Sequence, residues 1–123
     1  MKDQGEVFDM LKAFIKMLYE YRNRMGMLIG EYSLEKLFQY INGAGDAFAM
    51  CGYEDVQKAF YTPWMDYVDI YYGMEPGTGV RGWFRIIREH CGSDQEAVSV
   101  FYELLSGYLR RYYPEITVPD ESV

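Results

Sequence analysis

Met25-Gly26-Met27-Leu28-Ile29-Gly30 is a turn built almost wholly of apolar residues, set between two stretches that read as helices. Turns ordinarily lie on the surface, because their backbone N–H and C=O groups need water or other partners. One made of Met, Leu and Ile calls for cover from the helices on either side. That requirement predicts an all-α, single compact bundle of five or six helices with a buried apolar turn after the first helix. Gly26 and Gly30 would supply backbone angles or a close approach that a side chain forbids. Arg24, Gly26, Met27 and Gly30 are thus the structural residues expected of the turn.

The rest of the chain carries the helical pattern that such a bundle needs. From Glu6 to about Asn23, Val7, Leu11, Phe14, Ile15, Leu18 and Tyr21 recur at three- and four-residue intervals. Ser33 is an N-cap for a second helix with Leu34, Leu37, Phe38, Ile41, Phe48 and Ala49 inward. Gly43 and Gly45 interrupt that stripe, so either the helix bends there or a neighbour packs against bare backbone. Gly52 closes this helix in a left-handed conformation. A third segment starts near Glu54, and Pro63, which has no N–H and disfavours helical angles at Thr62, predicts a break there. A fourth, from Thr62 to Tyr72, would put Trp64, Val68 and Tyr71 or Tyr72 inward and Asp66, Asp69 and one of the tyrosines outward. After a glycine-rich loop over 73–79, a helix runs from about Arg81 to His90. Ser93-Asp94-Gln95-Glu96 then reads as a capping box for the last helix, which carries Ala97, Val98, Phe101, Leu104, Leu105, Tyr108 and Leu109 on one face. Residues 1–123 form one domain in this reading, with 114–123 a partly mobile tail.

Composition narrows the classes of function. The net charge is −7, and of the 19 acidic residues 10 fall in residues 63–123, against 5 basic ones. Nucleic-acid binding draws most of its affinity from neutralising phosphates, so it is disfavoured, as is an anionic membrane surface. A basic protein partner is not, since opposite charge speeds encounter. The 13 tyrosines suit either a half-buried shell or a contact surface. The polar start and the lack of an 18-residue apolar run predict a cytoplasmic protein. Cys51 and Cys91 are too few for a disulfide framework or a zinc ribbon and read as packing residues.

No stretch assembles a reactive site. His90, the sole histidine, sits beside Cys91, and helical neighbours point about 100° apart. A thiolate needs a facing base, so His90 reads instead as a dipole partner at a helix end. The glycine-rich loop lacks the Lys-Ser/Thr of a phosphate loop. The Glu-x-x-His pairs of carboxylate-bridged iron bundles are missing. The reading is a non-enzymatic chain with no metal and no cofactor.

Arg24-Met25-Gly26-Met27-Leu28-Ile29-Gly30 resembles the Arg-Pro-Gly-Met-Tyr-Ile-Gly segment of gyrase-type ATPase domains, with Met25 for the proline and Leu28 for the tyrosine. The Asp-x-Gly-x-Gly motif and glycine-rich lid of that superfamily are missing, so the likeness implies no ATP binding. Over most of its length the chain is similar to a group of small bacterial immunity-type proteins. The likeness rests on Arg24 to Gly30, Ser33 to Gly43, Trp83 with Ile86 and Ile87, and Glu96-Ala97 with Phe101-Tyr102 and Leu104-Leu105. It implies a cytoplasmic protein that neutralises a bacterial toxin domain by binding it, and it transfers no site residues.

For a basic nuclease as the toxin, the expected contact surface is Asp66, Asp69, Tyr72 and Glu75, acids standing in for phosphates. Two rivals remain at this stage. One is a small-ligand or anion-binding protein, or an enzyme, with a pocket near Arg24. The other is a structural or dimer-forming adaptor.

Overall fold

The computed structural model describes residues 4–24, 33–76 and 82–117. The apolar turn, with Gly26, Met27 and Gly30, lies outside the described residues, as do 118–123 of the tail. Five helices pack together: α1 (Gln4–Arg24), α2 (Leu34–Met50), α3 (Glu54–Tyr71), α4 (Gly82–Glu89) and α5 (Asp94–Tyr112). The fold is an all-α bundle, and no strand occurs among the described residues.

The helix ends follow local chemistry. Ser33 accepts a hydrogen bond from the Lys36 N–H at 3.2 Å, and Ser93 accepts one from the Glu96 N–H at 3.1 Å. The Glu96 carboxylate reaches one residue further back than a standard capping box requires, taking the Gly92 N–H at 2.7 Å. α2 and α3 close alike. Gly52 and Gly73 are left-handed, at φ 86° and 76°. The next N–H, of Tyr53 or Met74, bonds back to Phe48 or Asp69 at 2.7 and 2.8 Å. Both are Schellman closures, which satisfy carbonyls that a helix end otherwise leaves open.

α3 is the hub, packing against each of the other four helices. Its Trp64 is fully buried and lies 5.3 to 5.8 Å, ring to ring, from Phe60, Trp83, Phe101 and Tyr108. Edge and tilted aromatic pairs of this kind contribute ~1 kcal/mol each beyond area burial. α2 runs antiparallel to α3. Gln57 lies over Gly45, where a Cβ would come within 2.9 Å of its Nε2, and the Tyr61 hydroxyl donates to Asn42 Oδ1 at 2.9 Å. Gly45 is therefore the glycine used for close approach, whereas Gly43 has nothing within 4 Å of a would-be Cβ.

The break expected at Pro63 does not occur; α3 runs through it as one helix. Pro63 cannot bond the carbonyl four residues back, that of Ala59, and its ring crowds that group. A tyrosine just past α5 supplies what is missing: the Tyr113 hydroxyl donates to Ala59 O at 2.8 Å. The Tyr108 hydroxyl donates to the neighbouring Phe60 O at 2.9 Å. A carbonyl left open out of water would cost about 1–3 kcal/mol, so the Tyr113 bond lets the helix continue. A third tyrosine hydroxyl, of Tyr102, donates to Leu18 O in α1 at 2.6 Å. Past α5 the chain is tied down at least to Ile116, which is buried.

Candidate functional site

α3 leaves the core at its C-terminal half. Val68 is the last of its inward apolar residues, and the final turn, to Tyr71, meets solvent on one side. Ile70 and Tyr71 are 54% and 55% exposed, so two large apolar side chains stand in water side by side. Around them lie further tyrosines. The Tyr71 and Tyr72 ring centroids are 5.0 Å apart, and Tyr67 is 6.5 Å from Tyr112 of α5. Gly107 makes room for this arrangement, because a Cβ there would strike the Tyr67 hydroxyl. Tyr67, Tyr71, Tyr72 and Tyr112 thus make an aromatic surface across α3 and α5, with Ile70 exposed on α3 beside it.

The expected contact residues are divided by the structure. Asp66 is half-buried and Glu75 exposed, both on the rim of this face. Tyr72 belongs to it directly. Its ring stacks on His90 at 4.2 Å, and burial, followed by Cys91, Tyr71 and Glu103, pushes its hydroxyl up to about 12. Asp69 departs from expectation. It is 2% exposed, faces inward, and its Oδ2 has no hydrogen-bond partner. Asp69 is accordingly an interior group, unavailable to a partner.

The face is mixed in charge rather than acidic. Arg110 and Arg111 of α5 lie close enough to Tyr67 to oppose the upward pull that burial and Tyr71 exert on its hydroxyl. Glu103 stands near Tyr72. Tyr and Arg are the residue types enriched where interfaces carry their energy. Sequence reasoning left open which of Tyr71 and Tyr72 faces outward and did not single out Ile70 or Tyr112 as contact residues. The signal present was Ile70-Tyr71-Tyr72 just before a glycine, where a helix runs out of neighbours.

Elsewhere, the His90 Nδ1 lies 2.7 Å from Ile86 O, one turn back in its own helix. The Cys91 thiol is pushed up, first by burial and then by Glu96, which favours the neutral form over a nucleophilic thiolate. Cys51 is exposed and Cys91 half-buried, both as free thiols. Among the described residues no group of three or more His, Cys, Asp or Glu could hold a metal ion, and no helix is long and apolar enough to cross a membrane. Arg24 is exposed at the end of α1. No family model, curated protein or solved structure matches the chain.

Proposed function

We propose that this chain is a non-enzymatic protein-binding domain that acts in the cytoplasm, neutralising a bacterial toxin domain by direct contact. The observation that carries the binding part is the exposure of Ile70 and Tyr71 at the end of α3, with the Tyr72 ring against that of Tyr71. Large exposed apolar side chains rimmed by charge mark interaction surfaces in proteins of this size. The similarity of Arg24–Gly30, Ser33–Gly43 and the Glu96-Ala97 helix to immunity-type proteins supports the toxin as partner. The contact surface in this reading is Tyr67, Ile70, Tyr71, Tyr72 and Tyr112, with Asp66 and Glu75 on its rim. Arg110 and Arg111 make the partner patch mixed rather than purely basic.

The test is growth rescue. Cells expressing a toxic protein from a neighbouring reading frame, the expected candidate, should survive when the chain is co-expressed and die when it carries Ile70→Asp with Tyr71→Ala. Since both side chains are exposed, the double variant should keep the wild-type melting temperature. Full rescue by the folded double variant would remove this surface. Failure of the wild-type chain to bind the toxin domain in solution would remove the toxin reading.

A further inference from the structure

The last turn of α5 carries two arginines that face no carboxylate. Arg110 and Arg111 are exposed, and neither makes an ion pair or a side-chain hydrogen bond among the described residues. Asp66 of α3 is not within ion-pair reach of either. Glu103 lies two turns back on α5, about 10 Å along the axis. As cations in the last turn they offset the partial negative charge of that helix end, which any exposed basic side chain can do. That role leaves their side-chain N–H groups unused. The Arg111 guanidinium lies 5.7 Å from the centroid of the Tyr112 ring. A guanidinium beside a ring still presents a planar fork of donors that matches a carboxylate with two parallel bonds.

These donors border the exposed apolar residues of α3. The Tyr67 hydroxyl feels the charge of Arg110 and Arg111 as well as its neighbour Tyr71, and the Tyr67 ring lies 6.5 Å from that of Tyr112. Past Tyr112 the chain turns to α1, where Glu115, Ile116 and Thr117 line one cavity with Lys12, Ile15 and Tyr19. The described tail therefore brings no acid to the arginines. Ile70 and Tyr71, 54% and 55% exposed, thus share a surface with two guanidiniums whose donors are free. Tyrosine and arginine carry interface energy when a partner strips water from them. A nucleic-acid strand would need a track of cations along its phosphates. Two arginines near Asp66 and Glu103, on a chain of net charge −7, do not make one. A protein segment with two carboxylates beside an apolar side chain asks for no more than this surface holds.

We propose that the partner of this surface presents an acidic segment: one of its apolar side chains covers Ile70 and Tyr71, and its Asp or Glu carboxylates take the donors of Arg110 and Arg111. This rests on the protein-binding role of the surface and not on the partner being a toxin. Once the apolar side chain excludes water, the charge-assisted bonds strengthen and fix the register of the segment.

Selection of random peptides on the immobilised full chain tests this without the natural partner in hand. Peptides recovered on the wild type should combine Asp or Glu with an aromatic or aliphatic residue. A recovered peptide, titrated by fluorescence anisotropy, should bind on the order of tenfold more weakly when Arg110→Gln and Arg111→Gln are combined, and Tyr71→Ala should lose as much. Added salt should weaken binding to the wild type and leave binding to the double variant nearly unchanged. An analogue with the acids changed to Lys should prefer Arg110→Glu with Arg111→Glu over the wild type, an exchange that a merely structural effect would not produce. These positions are exposed, so every variant should keep the wild-type melting temperature. Four results would each overturn the proposal: no peptide recovered, neutral or basic peptides only, acidic peptides indifferent to both arginines, or single-stranded DNA bound through the same arginines in place of peptide. An acidic peptide held through Arg110 and Arg111, with a neighbouring toxic protein that fails to bind, would sustain this proposal and remove the toxin reading.

Discussion

The two halves of α3, before and after Pro63, differ in how completely they are held. From Glu54 to Thr62 the helix is tied to three others. Gln57 and Tyr61 lie on α2, Phe60 packs on Phe14 of α1, and the Ala59 and Phe60 carbonyls receive tyrosine hydroxyls from the end of α5. From Pro63 to Tyr71 the helix keeps Trp64 and Val68 in the core but leaves Ile70 and Tyr71 in water, and it buries a carboxylate with an unpartnered oxygen. The first half is held on every side, whereas the second leaves two buried polar atoms, Trp64 Nε1 and Asp69 Oδ2, without partners and two large side chains in water. Departures of that kind gather where a chain serves something other than its own stability. The contrast is the reason for placing a partner on the second half.

Asp69 offers the largest effect by which to break this comparison. Asp69→Lys would place a longer, positively charged side chain in a closed site, and it should destabilise the fold by ~3 kcal/mol or more. Asp66→Lys, three residues away and only half-buried, should stay within about 0.5 kcal/mol. Paired urea denaturation curves would show it. Similar losses for the two would mean that Asp69 is not an interior group.

The junction itself can be sharpened by a double-mutant cycle. Tyr108→Phe and Tyr113→Phe should each cost about 1–2 kcal/mol, because each removes a hydroxyl bond to an α3 carbonyl, and without Tyr113 the Ala59 carbonyl has no donor. Repeated in a Pro63→Ala background, the Tyr113→Phe loss should shrink by roughly 1 kcal/mol, since an alanine N–H can take the Ala59 carbonyl. The Tyr108→Phe loss should change less. Equal losses in both backgrounds would show that Tyr113 is not substituting for the proline's missing donor.

The smallest effect needs alkaline pH. Burial, and secondarily Asp46, raise the Tyr61 hydroxyl from its ordinary 10 to about 12. The unfolded chain therefore loses this proton before the folded one does. The stabilising contribution is whole below pH 10 and is lost as pH rises through 12. Thermal melts across that window should show stability falling, and Tyr61→Phe should flatten the fall. A wild-type slope unchanged by Tyr61→Phe would place the alkaline loss on other tyrosines.

Local chemistry was readable without coordinates. The caps at Ser33 and Ser93, the left-handed Gly52, and the inward residues of α5 follow from bonds and periodicities that span four residues or fewer. Gly45 was readable in part, since the pattern demanded either a bend or a close neighbour without saying which. Pro63, Asp69 and Tyr71 were not readable. Whether a helix survives a proline depends on a donor 54 positions away from the open carbonyl, at Tyr113. Whether an aspartate meets water depends on how its helix packs against the others, and a tyrosine beside a helix end is core or surface according to where the neighbouring helix stops.

By itself, then, the amino-acid order determined which segments are helical and which stripe of most of them is apolar, because hydrogen bonds and hydrophobic periodicity act over a single turn. The tertiary structure alone decided that α3 is one helix, that Asp69 is inside, and that Ile70 and Tyr71 are outside. Each of those outcomes depends on groups that only packing brings within a few ångströms of one another.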